Sequence, residues 1–125
     1  MNKLQELKAE IARIEKEEAD KKKAEYQYLV GNCVHPAHTS YKKITSIDRV
    51  HTDEYGDEVV FDCVDIYFDN RGDEYNSDAS INLQSWGQGY IEDLQRQIIS
   101  PEDFNNALDA CIDLIRRKAF ITLPK

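Results

Sequence analysis

The residues best suited to chemistry in this 125-residue chain are gathered in one hexapeptide, Cys33-Val-His35-Pro-Ala-His38. A thiolate and two imidazoles within six positions supply three potential zinc ligands, and Cys63, the next cysteine along, would be the fourth. Structural zinc sites are usually built from two paired knuckles, whereas Cys63 stands alone in an apolar run. The same residues admit Cys33 as a nucleophile with His35 as its base, a scheme that also needs a group to orient the base and donors for an oxyanion. No GxSxG, HExxH, phosphate loop or dinucleotide fingerprint accompanies them. A turn with one half-buried cysteine and two solvated histidines accounts for the hexapeptide without chemistry. The sequence therefore predicts no enzyme and no cofactor, with zinc on Cys33, His35, His38 and Cys63 as the one metal set the spacing permits. Asp69-Asn-Arg71-Gly72-Asp73 contains Arg-Gly-Asp but reads as a hairpin turn, and its glycine and acidic positions do not match a calcium loop.

Charge points toward binding. The formal net charge is −8. Residues 1–25 hold seven Lys and Arg against seven Asp and Glu, so the whole deficit lies in the remainder. Residues 48–78 alone carry eleven acids against Arg49 and Arg71. Nucleic acid is a poor partner for such a chain, because phosphate binding needs an excess of cations. A protein with a basic surface is a better one. Asp57, Glu58, Asp69, Asp73, Glu74 and Asp78 are the candidate acidic face. Glu74, Asn76 and Asp78, about 7 Å apart on one side of a strand, approximate the phosphate repeat and suggest DNA mimicry. Trp86 and Tyr90, flanked by Gly87 and Gly89, are candidate aromatic anchors.

The elements that must position these residues divide into residues 1–30, a helical arm, and residues 31–125, an α+β domain. Asn2 and Gln5 form a capping-box pair. Leu4, Leu7, Ile11 and Ile14 then occupy a and d positions of two heptads, and Glu18, Lys21 and Glu25 continue the phase with polar side chains. A helix over 2–29 would be about 42 Å long. Its apolar stripe needs a partner, either another copy or another protein, with folding back on its own domain as the alternative; the sequence predicts a homo-oligomer through the arm. Tyr41–His51, Val59–Phe68 and Tyr75–Leu83 read as three antiparallel strands joined by turns at 53–57 and 69–73. Val59–Phe68 is apolar on both faces, as a central strand should be. Trp86–Tyr90 reads as a loop; within Ile91–Ile99, Ile91, Leu94 and Ile98 suit a helix while Leu94–Ile99 suits a short closing strand, and a strand is preferred at the end. Ser100, Pro101, Glu102 and Asp103 open the last helix. Phe104, Leu108, Cys111, Ile115 and Ala119 form its buried stripe, and Phe120–Pro124 a docked tail. The fold class is α+β: a long N-terminal helix, a small curved antiparallel sheet of four or five strands with SH3-like closure as one option, and a C-terminal helix packed on the sheet.

No run approaches the ~18 apolar residues of a membrane span, and the start lacks the apolar core of a signal peptide. With three cysteines in no disulfide spacing, the expected location is the cytoplasm. The segments Tyr28-Leu-Val-Gly-Asn-Cys33, Tyr41-Lys-Lys-Ile-Thr-Ser-Ile47 and Ile98-Ile-Ser-Pro-Glu-Asp-Phe-Asn-Asn-Ala-Leu108, in this order behind a charged helix, resemble small uncharacterised accessory proteins of bacteriophages and mobile elements. The resemblance spans most of residues 26–115 and implies an inhibitor of a host protein, including host defence, or a structural accessory protein. From the residues themselves, the leading expectation is a non-catalytic interaction protein. The alternative is a small-ligand binder or nucleotide sponge, which would require Lys42, Lys43, Arg49 or Arg96 to converge.

Overall fold

The structure, a computed structural model, describes residues 2–122, with side chains through Ala119. Helix α1 spans Lys3–Glu25 and a 3-10 turn follows over Gln27–Leu29. Asn2 accepts from the Gln5 amide at 2.9 Å while the Gln5 side chain accepts from the Asn2 amide at 3.2 Å, so two of the helix's orphan donors are satisfied reciprocally. Strand β1 (Cys33–Ala37) leads into β2 (Ser40–Asp53), β3 (Gly56–Asp69) and β4 (Asp78–Tyr90); α2 (Ile91–Gln97), β5 (Ile98–Ile99) and α3 (Pro101–Thr122) complete the chain. The α+β class is as read from the sequence. All pairings are antiparallel, in the order β4-β3-β2-β1-β5.

The sheet is buried on both faces, but in different halves. Residues directly opposite one another share a face. Val59, Phe61 and Cys63 of β3 face Val50, Ile47 and Ile44 of β2, and with Val34, Leu29 and Leu94 they form one core beneath the 3-10 turn and α2. Three positions beyond Cys63, Ile66 points to the other face, where Cys33, Phe104 and Cys111 form a second core under α3. Thus β3 has two apolar faces because each is used by a different helical cover.

Several expectations are corrected. The segment Trp86-Gly-Gln-Gly-Tyr90 is no loop; β4 runs through it to Tyr90. Its glycines are there for space: a Cβ at Gly87 would lie 2.7 Å from Phe61 Cζ, and one at Gly89 3.0 Å from Leu94 Cδ2. Residues 74–76 are a turn, with β4 starting at Asp78, so Glu74, Asn76 and Asp78 do not share a strand face and the phosphate-spacing argument loses its footing. The strand expected at the end of 91–99 is present but shorter than Leu94–Ile99: residues 91–97 are a helix, and Ile98 and Ile99 alone are strand, pairing with Val34 and Cys33. In α3 the buried stripe turns by one position. Leu114 is buried, Ile115 is 38% exposed and Ala119 is exposed, because the loop around Ser77 meets the helix at Leu114 and Arg117. Of the proposed tail, residues 120–122 lie in the last turn of α3 and the rest lies outside the described residues.

Ser100 caps α3 as expected, its hydroxyl accepting from the Asp103 amide at 3.0 Å. Ser100→Ala should lower stability by about 1 kcal/mol, read as a lower urea midpoint with an unchanged slope. Ser100→Asp should restore it, since aspartate caps equally well and favours the helix dipole.

Candidate interaction surfaces

The arm divides midway. From Glu15 to Glu25, α1 runs beside the tip of the β2–β3 hairpin; Glu15, Glu18, Ala19, Lys22 and Glu25 border a shallow cavity closed on its other side by Thr52. The helix is pinned there through Asp57. Its carboxylate accepts from Tyr26 Oη, from Thr52 Oγ1 at 2.6 Å and from Lys22 Nζ at 3.2 Å. These donors, Thr52 first and then Tyr26, hold Asp57 below the usual carboxylate range, while the bond to Asp57 pushes the Tyr26 hydroxyl up to about 12. Sequence reasoning missed this anchor; the only sign of it was that the a/d phase turns polar after Ile14, where the helix meets a charged hairpin tip.

Past that tip the same helical phase is apolar and bare. Leu4, Leu7, Ile11 and Ile14 are 60, 57, 55 and 42% exposed, and no residue of α1 is buried. Glu10 and Glu17, which flank the stripe, both pair with Arg13. The stripe predicted from the heptads does not fold back on its own domain.

The six acids of the proposed acidic face do not share one surface. Asp57 is used by the arm anchor. Its neighbour Glu58 points to the opposite side of β3, across from His51 and Tyr90. Asp69 lies at the far end of β3, about 40 Å away at ~3.3 Å per residue, and pairs with Arg71 at 2.9 Å. Asp73 accepts from the Asn76 side-chain amide at 2.9 Å and from its backbone amide at 2.9 Å, and these bonds, the side-chain one first, hold its carboxyl below the usual range. Glu74 lies 3.5 Å from Arg117. Asp78 is exposed and accepts from the Ala79 amide at 3.1 Å. The negative charge therefore covers both ends and both faces of the body.

Trp86 and Tyr90 part company. Trp86 is 62% exposed on β4 opposite Asp62, with Leu83, 73% exposed, close by where β4 bulges. Tyr90 is half-buried: its hydroxyl donates to Asp53 at 2.6 Å, and Tyr55 meets its ring edge-on. That bond pushes Tyr90 up to about 12 and draws Asp53 down. Regular alternation would put Leu83 on the same face as Ile81; the bulge turns it out.

The hexapeptide is pulled apart by strand geometry. Cys33 points into the core under α3 while Cys63 points into the core on the opposite face, so the two thiols do not converge. Burial pushes both thiols, and that of Cys111, above the ordinary range. The His35 ring stacks on Tyr41 at 4.1 Å, and its Nδ1 is 2.8 Å from the Ser40 carbonyl. Since a carbonyl only accepts, Nδ1 carries the proton and donates. His38 is exposed in the turn after β1. Among the described residues no group of three or more His, Cys, Asp and Glu is placed to hold a metal.

One cavity, of about 420 Å³, lies between the sheet and α3, lined by His35, Tyr41, Phe68, Ile99, Asp103, Asn106, Ala107 and Ala110. None of the cations a nucleotide would need lines this cavity: Lys42 pairs with Asp65, Arg49 with Asp48 and Arg96 with Asp93. Lys43 is on β2 opposite Cys33 and Val64. Among the described residues, no helix is long and apolar enough to cross a membrane. No protein-family model, no curated protein and no solved structure matches this chain.

Proposed function

We propose that the chain is a non-catalytic interaction protein that pairs with a second copy of itself through Leu4, Leu7, Ile11 and Ile14 and carries a negatively charged body to a protein with a basic surface. One observation carries this reading: four large apolar side chains stand in water along one edge of a helix, while both cores of the body are complete without them. A water-exposed edge of this kind marks an interaction site. Covering the exposed half of eight such side chains is worth about 1 kcal/mol each. Before the cost of association, that is near the ~8 kcal/mol of a micromolar complex, so the expected pairing is weak and visible at tens to hundreds of micromolar.

The basic partner is favoured by the sign of the body's charge, and its capture should weaken as salt rises. Trp86 with Leu83 is the apolar anchor available to it. The resemblance to phage and mobile-element proteins extends the reading to a phage-encoded inhibitor of a host defence protein, or to a structural accessory protein, acting in the host cytoplasm. Sedimentation equilibrium of Ile11→Asp tests the arm. The variant should stay monomeric at concentrations where the parent associates. Equal association of the two proteins would refute the arm's role.

A second reading has its own observation, the cavity walled by the stacked His35–Tyr41 pair. Its aromatic wall and Asp103 suit a flat neutral or cationic ligand rather than a nucleotide. A thermal-shift screen should then raise the midpoint with such ligands and not with cyclic nucleotides.

A further inference from the structure

We infer that the two arms pair antiparallel, so that the assembly is a dumbbell with one charged body at each end. The inference rests on the self-pairing proposed above and adds its geometry. With Leu4 and Ile11 at a and Leu7 and Ile14 at d, all four layers overlap in either orientation. The flanking charges separate the two. In a parallel pair, Lys3 meets Lys8 of the second copy and Glu10 meets Glu15, each contact made twice and each repulsive; the next contact, Glu17 with Lys22, attracts, but it lies beyond the last apolar layer and Lys22 is already held by Asp57. In an antiparallel pair, Leu4 stacks on Ile14 and Leu7 on Ile11 of the other copy. Lys3 then meets Glu17 twice, attractively, and only the single central contacts Lys8–Lys8 and Glu10–Glu10 repel.

The bodies give the same answer independently. Residues 1–25 are neutral, so each body holds the full formal charge of −8. The body joins α1 at its C-terminal half, where Lys22 and Tyr26 meet Asp57. Parallel arms would place both bodies side by side; antiparallel arms put the helical rods between them, well beyond a Debye length of ~8 Å. The helix dipoles also oppose one another favourably.

Disulfide trapping in the full chain tests the orientation. Cys33, Cys63 and Cys111 are at most 4% exposed, so introduced thiols react first. Lys3→Cys mixed with Glu17→Cys should give the dominant crosslinked dimer, and Lys3→Cys mixed with Lys8→Cys should give little. Lys3→Glu should weaken association several-fold, and adding Glu17→Lys should restore it; in a parallel pair Lys3→Glu would tighten it instead. Dominant Lys3–Lys8 trapping would overturn the orientation while leaving self-pairing intact. No trapping by either mixture, at concentrations where the mass has risen above 14.5 kDa, would place the contact outside the arm and overturn both. A mass fixed at 14.5 kDa at all concentrations would overturn the pairing itself.

Discussion

Phe61→Ala should lower the stability of this protein by about 3–5 kcal/mol, the range for deleting a fully buried aromatic ring. Phe61 is 1% exposed, faces Ile47 on β2 and Gly87 on β4, and sits in the middle of the larger core. Against a typical total of 5–15 kcal/mol the loss is a large fraction. Gly87→Ala attacks the same contact from the other side. Its Cβ would stand 2.7 Å from Phe61 Cζ and 2.8 Å from Cε2, so the buried ring must shift. A cost of about 1–3 kcal/mol is expected from overpacking. The backbone at Gly87 is not in the left-handed region, so the penalty is one of space alone. In a Phe61→Ala background the sign should reverse. With the ring gone, the alanine only restricts the unfolded chain, which favours folding by about 0.4–1 kcal/mol. Urea midpoints of the two single variants and the double variant measure this coupling, and additive effects would refute the proposed contact.

Asp57→Ala should cost about 1–3 kcal/mol, because it removes a carboxylate that takes three hydrogen bonds and is only 14% exposed. Tyr26 and Thr52 can turn partly to water, which keeps the loss near the lower half of that range. The root of α1 should loosen with it, so trypsin should cut faster at Lys21, Lys22 and Lys23. The pH dependence follows from the two shifts. Asp57 has a folded value below its unfolded one, so its contribution is present above the ordinary carboxylate range and is lost as pH falls through the folded value. Tyr26 is raised from 10.0 to about 12, so its contribution is full below about pH 10 and is lost as pH rises through 12. The anchor's own contribution should therefore be flat between these limbs, and Asp57→Ala should reduce the slope of both. A variant that kept the parent's acid and alkaline limbs would show that the anchor contributes nothing.

The ends of this fold were easier to read than its middle. The capping box at Asn2 and Gln5, the heptad stripe, and the Ser100-Pro101 start of α3 are local signals, decided by residues within one turn of helix. The paired faces of β2 were hidden by bulges. Ile44, Ile47 and Val50 recur every third residue, a spacing foreign to a regular strand. They face Cys63, Phe61 and Val59 because Thr45 and Asp48 are each an extra residue against β3. A bulge near Leu83 and Gln84 does the same in β4 and throws Leu83 outward. Glycines between aromatics normally mark a turn; here Phe61 and Leu94 lie across them, which only the assembled sheet reveals. The acidic run was legible as charge but not as a surface, because neighbouring strand residues point to opposite faces and β3 is long enough to carry its acids to both ends of the body. Cys33 and Cys63 do not converge for a related reason: the register across β1, β2 and β3 sends them into different cores.

Amide hydrogen exchange of the intact chain across a hundredfold range of concentration is the most direct test of what the arm is for. A helix of about a dozen residues without tertiary contacts is marginal in water. If a second copy covers Leu4 to Ile14, amides of residues 6–16 should become steadily more protected as concentration rises, while those of β2 and β3 stay constant. Exchange at residues 6–16 that is the same at every concentration would contradict the account.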